Sequence, residues 1–173
     1  ISVGLDAEIN NRAHEFKPYL RFIGLSHFAY IIAGLCSMKG INYPEVKLTV
    51  DGRRILTTKV TFAAVTNSWR YGRGFKINPL AKLDDGWLDL CIAAPVGRLT
   101  IPWYMVRMRM GNHHRSHKFS FLRFQGLIIE ADKPLPFQID GEVYSLQSKK
   151  EKPSSQFKIE ISVLPKALKI LAP

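Results

Sequence analysis

A mainly β fold, loosely α+β, is what this 173-residue sequence predicts: an antiparallel β-sandwich or barrel with two helical excursions. Three observations predict it. Short segments rich in β-branched and aromatic residues recur along the chain, Gly, Pro and Asp separate them at turn spacing, and only two stretches carry a helical period. The length suits one domain, residues 1–173, around a single core.

The first helix is expected over residues 22–38, where Ile23, Tyr30, Ile31, Leu35 and Met38 recur at a loose helical period and Lys39-Gly40 supplies a stop. Val46, Leu48 and Val50 alternate with Lys47 and Thr49, as in a strand with one face buried. Asp51-Gly52 is a hairpin turn, and the return strand covers residues 55–65. Further strands are expected over residues 88–93, 121–131, 135–139, 142–146 and 157–163. The second helix covers Trp103 to Met110, with Thr100 as N-cap, Pro102 in the first turn and Gly111 as its end. Residues 149–155, with Pro153 and three charges, read as a surface loop.

Twenty-five Lys and Arg against fourteen Asp and Glu give a formal charge of +11. That surplus favours anionic partners, whether nucleic acid, nucleotide phosphates or an acidic membrane surface, and does not choose among them. Cys36 and Cys91 both sit in apolar runs without CxxC spacing, so buried free thiols fit better than a disulfide or a metal site. The longest apolar run is too short and too interrupted by charge to cross a bilayer. The chain opens on Ile1-Ser2-Val3-Gly4, without Met or a basic leader, and the expectation is of a missing upstream segment.

Two stretches carry chemistry. The first runs from Tyr71-Gly72-Arg73-Gly74-Phe75 through Asn78-Pro79-Leu80-Ala81-Lys82-Leu83-Asp84-Asp85-Gly86-Trp87-Leu88-Asp89-Leu90. It reads as a glycine-bearing turn, a loop started by Pro79 and two adjacent carboxylates before a buried strand. On its own, Asp84-Asp85-Gly86 is a turn that caps a strand. Crowded carboxylates beside tight-loop carbonyls are also the oxygen donors that a hard divalent ion takes. The second stretch is Phe137-Gln138-Ile139-Asp140-Gly141-Glu142-Val143. By itself it is a hairpin. Two carboxylates flanking a glycine can also converge on a hydroxyl and a metal-bound phosphate, as phosphoryl transfer requires.

Together these stretches resemble the signature of the diacylglycerol kinase and sphingosine kinase superfamily, most closely its bacterial soluble members. Ser2-Val3-Gly4-Leu5-Asp6-Ala7-Glu8 and Ile161-Ser162-Val163-Leu164-Pro165-Lys166-Ala167-Leu168 extend the resemblance over nearly the whole chain, as the opening and closing of the family's C-terminal domain. The resemblance implies a structural Mg²⁺ held by the Asp85 side chain and the carbonyls of Lys82 and Trp87. It implies Glu142 as general base toward a lipid hydroxyl, with Asp140 orienting the site or holding the nucleotide-associated Mg²⁺. Gly141 would allow close approach to a phosphate, His27 would contact phosphate and Asn10 the lipid head group. Where the family usually has a further glycine this chain has Arg73, which takes positive φ at higher cost. The family binds ATP mainly through a Gly-Gly-Asp-Gly-Thr motif in an N-terminal domain, and no such motif occurs here.

The implied protein is a two-domain ATP-dependent lipid kinase, cytoplasmic and peripheral at an anionic membrane, with a homodimer left open. This chain is its lipid-substrate half, inactive alone, and diacylglycerol, sphingosine, ceramide and monoacylglycerol all remain as substrates. Three rival readings compete with it. A nucleic-acid-binding β domain rests on charge and on Trp69, Tyr71 and Phe75, but aromatic and basic residues are not interleaved along one strand pair. A scaffold that has lost catalysis fits poorly with the retained Asp85, Asp140 and Glu142. His113 and His117 have the i, i+4 spacing of a zinc pair, but without a third ligand a solvated basic loop is preferred. For the second helix, ordinary packing of the Trp103, Val106 and Met110 face on the sheet is preferred over an interfacial helix meeting lipid.

Overall fold

The structure, a computed structural model, describes residues 1–22, 43–70, 74–144 and 157–167. Ten strands form two antiparallel sheets among these residues. In chain order the strands are β1 (Ser2–Gly4), β2 (Glu45–Val50), β3 (Arg54–Lys59), β4 (Phe62–Thr66), β5 (Leu88–Ala93), β6 (Phe119–Phe124), β7 (Gly126–Ala131), β8 (Phe137–Ile139), β9 (Glu142–Tyr144) and β10 (Phe157–Ser162). One sheet has the order β6-β5-β4-β1-β8-β9 and the other β10-β7-β2-β3. Both are open, with edge strands, so the fold is the sandwich and not the barrel.

Alternation builds the shared core. Val46, Leu48 and Val50 of β2 and Leu127 and Ile129 of β7 meet Val3, Ala63, Val65, Leu90, Ile92 and Phe124 of the six-stranded sheet. Fully burying one such side chain is worth about 1.5–3 kcal/mol, so this layer holds the sheets together. The six-stranded sheet is buried on its other face as well. There Phe62, Ala64, Cys91, Ala93 and Phe119 pack with Ile77 and with Tyr104 and Met108 of a helix. Cys91 is accordingly a free thiol in the core, and burial pushes its pKa up. Cys36 lies outside the described residues.

Two α-helices are described, α1 (Leu5–Phe22) and α2 (Ile101–Met110). The second matches the expectation, with Gly111 at φ 81° ending it. Thr100 precedes it, but its hydroxyl bonds back to the Gly97 carbonyl at 2.6 Å and does not cap the helix. The helix expected over residues 22–38 falls, Phe22 apart, outside the described residues, and α1 was not anticipated. Leu5, Ala7 and Ala13 are buried, and Asp6 and Glu8 sit in the first turn where the helix dipole favours acids. Pro18, a poor helix-interior residue, masks the pattern in the sequence.

Two expected strands are each two strands. Residues 55–65 divide at Val60-Thr61, where the chain crosses from β3 in one sheet to β4 in the other. Val60 N–H donates to Pro44, and Thr61 donates from its amide to Ala93 and from its hydroxyl to Ala94. Residues 121–131 divide at Gln125 in the same way, and the Asp51 carboxylate accepts the amides of Gln125 and Gly126 at 2.9 and 2.8 Å. An apolar run that passes through the core at a corner has no sequence break, so the layer change is invisible to periodicity.

His113 is fully buried in a 3₁₀ turn after α2, edge-on to Phe119, with Nε2 2.9 Å from the Ile77 carbonyl. Its other ring nitrogen is buried without a partner. It is a core side chain, whereas His117 is exposed, and no acid, His and Cys cluster suited to a metal occurs among the described residues. Burial lowers the His113 pKa, outweighing the Ile77 bond, while His114 and Arg107 lower it further. The folded protein therefore binds fewer protons here than the unfolded chain, so stability falls as pH drops through the unfolded value of 6.5. Urea unfolding between pH 7.5 and 5 should show that decline, and His113→Gln should flatten it; an equal slope in both proteins would contradict the assignment.

Candidate active site

The Asp140-Gly141 turn joins β8 to β9, and Ile139 faces Glu142 across it. Asp140 and Gly141 have φ of 48° and 92°, the pair of positive values that a two-residue type I′ hairpin demands and that Asp-Gly supplies readily. Asp140 and Glu142 are both exposed on this turn. The Glu142 carboxylate accepts a 2.9 Å hydrogen bond from the Tyr144 hydroxyl, two residues on and therefore on the same strand face. The Tyr144 ring stacks on Phe137 across the hairpin, with centroids 5.5 Å apart. The bond to Glu142 raises the Tyr144 pKa, so the phenol stays protonated and acts as a donor that orients the carboxylate. Tyr144 escaped sequence reasoning; its two-residue offset from Glu142 was the available signal.

Beneath the turn lies a polar network that begins on α1. Asn10, expected to contact the lipid head group, is instead buried and donates to the Gly141 carbonyl at 2.6 Å and the Gln138 side chain at 3.1 Å. Gln138 donates to Asp6 at 2.7 Å, and the Ser2 hydroxyl donates to the same carboxylate oxygen at 2.6 Å. The network thus joins the start of β1, the first two turns of α1 and the base of the hairpin. Gly4 makes the entry to α1 feasible: its φ is 95°, and a Cβ there would stand 2.7 Å from the Thr61 carbonyl.

The Asp85 loop sits elsewhere on the same sheet. Asp85 accepts the Trp87 amide at 3.1 Å across Gly86, and its other oxygen pairs with Arg123. Asp89, at the head of β5, is buried with Oδ2 unpartnered. Burial raises the Asp89 pKa, the nearby Arg123 opposes that rise and the Asp85 charge adds to it. A half-buried carboxylate beside a second one with an orphan oxygen is a donor set that a hard cation would satisfy. Both Asp85 oxygens are already engaged, by the Trp87 amide and by Arg123, so the Asp89 oxygen is the carboxylate atom here that lacks a partner. In strand order β5 and β8 are three positions apart, about 14 Å at ordinary strand spacing. An ion on this loop cannot also touch a phosphate held at Glu142. His27 and residues 71–73 lie outside the described residues.

The two-sheet sandwich that carries the Asp140-Gly141-Glu142 hairpin and the Asp85 loop on one sheet is of the NAD kinase beta sandwich-like class. The chain belongs to the family described as the YegS C-terminal NAD kinase beta sandwich-like domain, whose model matches residues 1–172. It is 26% identical over 145 residues to the Bacillus subtilis (strain 168) protein named "Putative lipid kinase YtlR", covering 83% of this chain and 47% of that one. It is 25% identical over 173 residues to a Mycobacterium tuberculosis (strain CDC 1551 / Oshkosh) protein named "Diacylglycerol kinase", covering 99% of this chain and 50% of the relative. The chain thus spans about half the length of these relatives. Its fold is similar to a crystal structure described as "a putative diacylglycerol kinase" from Bacillus anthracis str. Sterne, with a TM-score of 0.55 at 20% identity over 79% of this chain and 43% of that one. The resemblance read from the two motifs is therefore confirmed at the level of the family.

Replacing Asn10 by Ala removes the donor to two acceptors, each of which costs about 1–3 kcal/mol when left unpaired. The variant should unfold at lower urea concentration, and amide hydrogen exchange should quicken at residues 139–142. An unchanged midpoint with unchanged exchange would show that the network does not hold the turn.

Proposed function

We propose that this chain is the lipid-substrate half of a two-domain, ATP-dependent lipid kinase that phosphorylates a hydroxyl of a membrane lipid such as diacylglycerol. One observation carries the reading. Glu142 stands exposed on a tight two-residue hairpin, its carboxylate bonded by Tyr144 and its turn bonded from below by Asn10. Such a carboxylate can accept the proton of a lipid hydroxyl while the hydroxyl oxygen attacks the terminal phosphorus of ATP and ADP departs. Asp140 lies beside it on the turn, placed to orient the site or to hold the nucleotide's Mg²⁺. Gly141, without a side chain, leaves room for a phosphate, and His27 is retained as a phosphate contact. ATP itself would be bound mainly by the other half of the protein, which the doubled length of the relatives supports.

Asp85 and the main-chain carbonyls of Lys82 and Trp87 would hold a structural Mg²⁺, with Asp89 and Arg123 setting the local charge. An ion there supplies charge neutralisation for the loop. Three strand spacings, about 14 Å, separate β5 from β8 and leave such an ion no part in the transfer step. Asn10 contributes from beneath the hairpin, as a positioning residue, to the same head-group region for which it was nominated.

In the two-domain protein, Glu142→Gln should lower turnover about 10²–10⁴-fold with far smaller changes in ATP and lipid binding. Near-normal turnover would remove Glu142 from the mechanism. For the metal loop, Mg²⁺ should raise the melting temperature of the 173-residue chain, the rise growing with the logarithm of free Mg²⁺ once the site is filled, and Asp85→Asn should abolish it. Equal stabilisation of both proteins would place Mg²⁺ elsewhere.

A further inference from the structure

Helix α2 is apolar on two faces. On its inward face Tyr104 and Met108 pack against the outer layer of the six-stranded sheet, and Ile101 and Met105 pack with Leu5, Ile9 and Val96. The face expected to do that packing points outward. Trp103, Val106 and Met110 are 54, 57 and 60% exposed, and Leu99, in the 3₁₀ turn leading into the helix, is 95% exposed. Positions 103, 106 and 110 follow the i, i+3, i+7 spacing of one α-helical stripe, and Leu99 stands exposed in the 3₁₀ turn just before it. Exposed apolar residues scattered singly are ordinary, whereas a contiguous row rimmed by polar groups marks a docking surface.

The charge around the stripe identifies what it meets. From residue 90 to residue 129 the sequence contains no Asp or Glu, while Arg98, Arg107, Arg109 and Arg115 fall on or beside α2. The Arg107 guanidinium lies 4.6 Å from the Trp103 ring centroid and donates to the Asn112 carbonyl at 2.8 Å, so cation and indole are held side by side. A second copy of this chain would set one basic stripe against another, which like charge opposes. An anionic bilayer offers an apolar layer for Leu99, Trp103, Val106 and Met110 together with negative head groups for the arginines.

We propose that the outward stripe of α2, Leu99-Trp103-Val106-Met110 flanked by arginines, docks the protein on an anionic lipid bilayer. The choice of a bilayer over an acidic protein rests on the lipid-kinase reading, which it deepens by naming the surface that meets the substrate's membrane. The docking itself needs neither ATP nor transfer, so it is measured independently of that reading.

The test is co-sedimentation of the 173-residue chain with vesicles of phosphatidylcholine plus phosphatidylserine and with vesicles of phosphatidylcholine alone. The chain should bind the anionic vesicles, and added salt should weaken binding. Each basic residue near such a surface is worth about fivefold in partitioning, so Arg98→Glu with Arg109→Glu should cost roughly 25-fold or more. Val106→Asp with Met110→Asp should abolish binding; both sites are exposed, so circular dichroism and melting should match the parent chain. Absence of binding by the parent, or equal binding by well-folded variants, would overturn the proposal. So would a dimer in sedimentation velocity that the Val106/Met110 variant splits without any vesicle binding. Turnover of the intact protein on detergent-dispersed diacylglycerol tests the kinase reading apart from all of these outcomes.

Discussion

The bond from the buried Asn10 side chain to the half-buried Gly141 carbonyl, 2.6 Å long, ties helix α1 to the hairpin that carries the proposed site. It spans 131 positions of sequence and fixes a helix that opens the chain to a turn near its far end. Everything upstream serves that span. β1 runs between β4 and β8 and supplies neighbours to both. Gly4, tight against Thr61, lets the chain leave the sheet directly into α1, and Asp6 then ties Gln138 and Ser2 to the same corner. A buried polar network of this kind is costly when incomplete and rigid when satisfied. Rigidity is what a carboxylate needs if it is to be held at a substrate hydroxyl without reorganisation during transfer.

Electrostatics divides the six-stranded sheet into separate regions of chemistry. At the hairpin, Asp140 and Glu142 lie open to solvent, and the Glu142 carboxylate accepts a hydrogen bond from the Tyr144 phenol. At the Asp85 loop the carboxylates are more enclosed, one paired with Arg123 and the other, Asp89, short of a partner. The enclosed pair leaves one buried acceptor open at the turn entering β5. On α2 the acids disappear altogether and arginines flank an apolar row, the composition of a membrane-facing element rather than of a catalytic one. The overall positive charge is therefore not a uniform solubilising coat.

The fold class was legible because alternation in β2, the Asp51-Gly52 and Asp140-Gly141 turns and the residue 88–93 strand are local signals, and the structure places all of them as expected. The corners at Val60-Thr61 and Gln125 were not legible, since a strand that changes sheets keeps its apolar residues. α1 hid behind Pro18 and a weak polarity contrast, although Leu5, Ile9 and Ala13 carry the helical spacing. At the site, Glu142, Asp140 and Asp85 could be nominated from motifs, whereas Tyr144, Gln138 and Asp6 become visible only when strand faces and the helix start are known. The orientation of α2 was the instructive reversal. Two apolar faces exist in its sequence, and periodicity could not say which one the sheet takes.

What the account requires above all is that the hairpin present Glu142 to the acceptor hydroxyl. A crystal structure of the full-length protein with a non-hydrolysable ATP analogue and a short-chain diacylglycerol measures this directly. The account predicts a Glu142 carboxylate oxygen about 2.6–3.2 Å from the lipid hydroxyl, with Tyr144 still bonded to the same side chain. A lipid hydroxyl bound against another acid, with Glu142 facing bulk solvent, would contradict it.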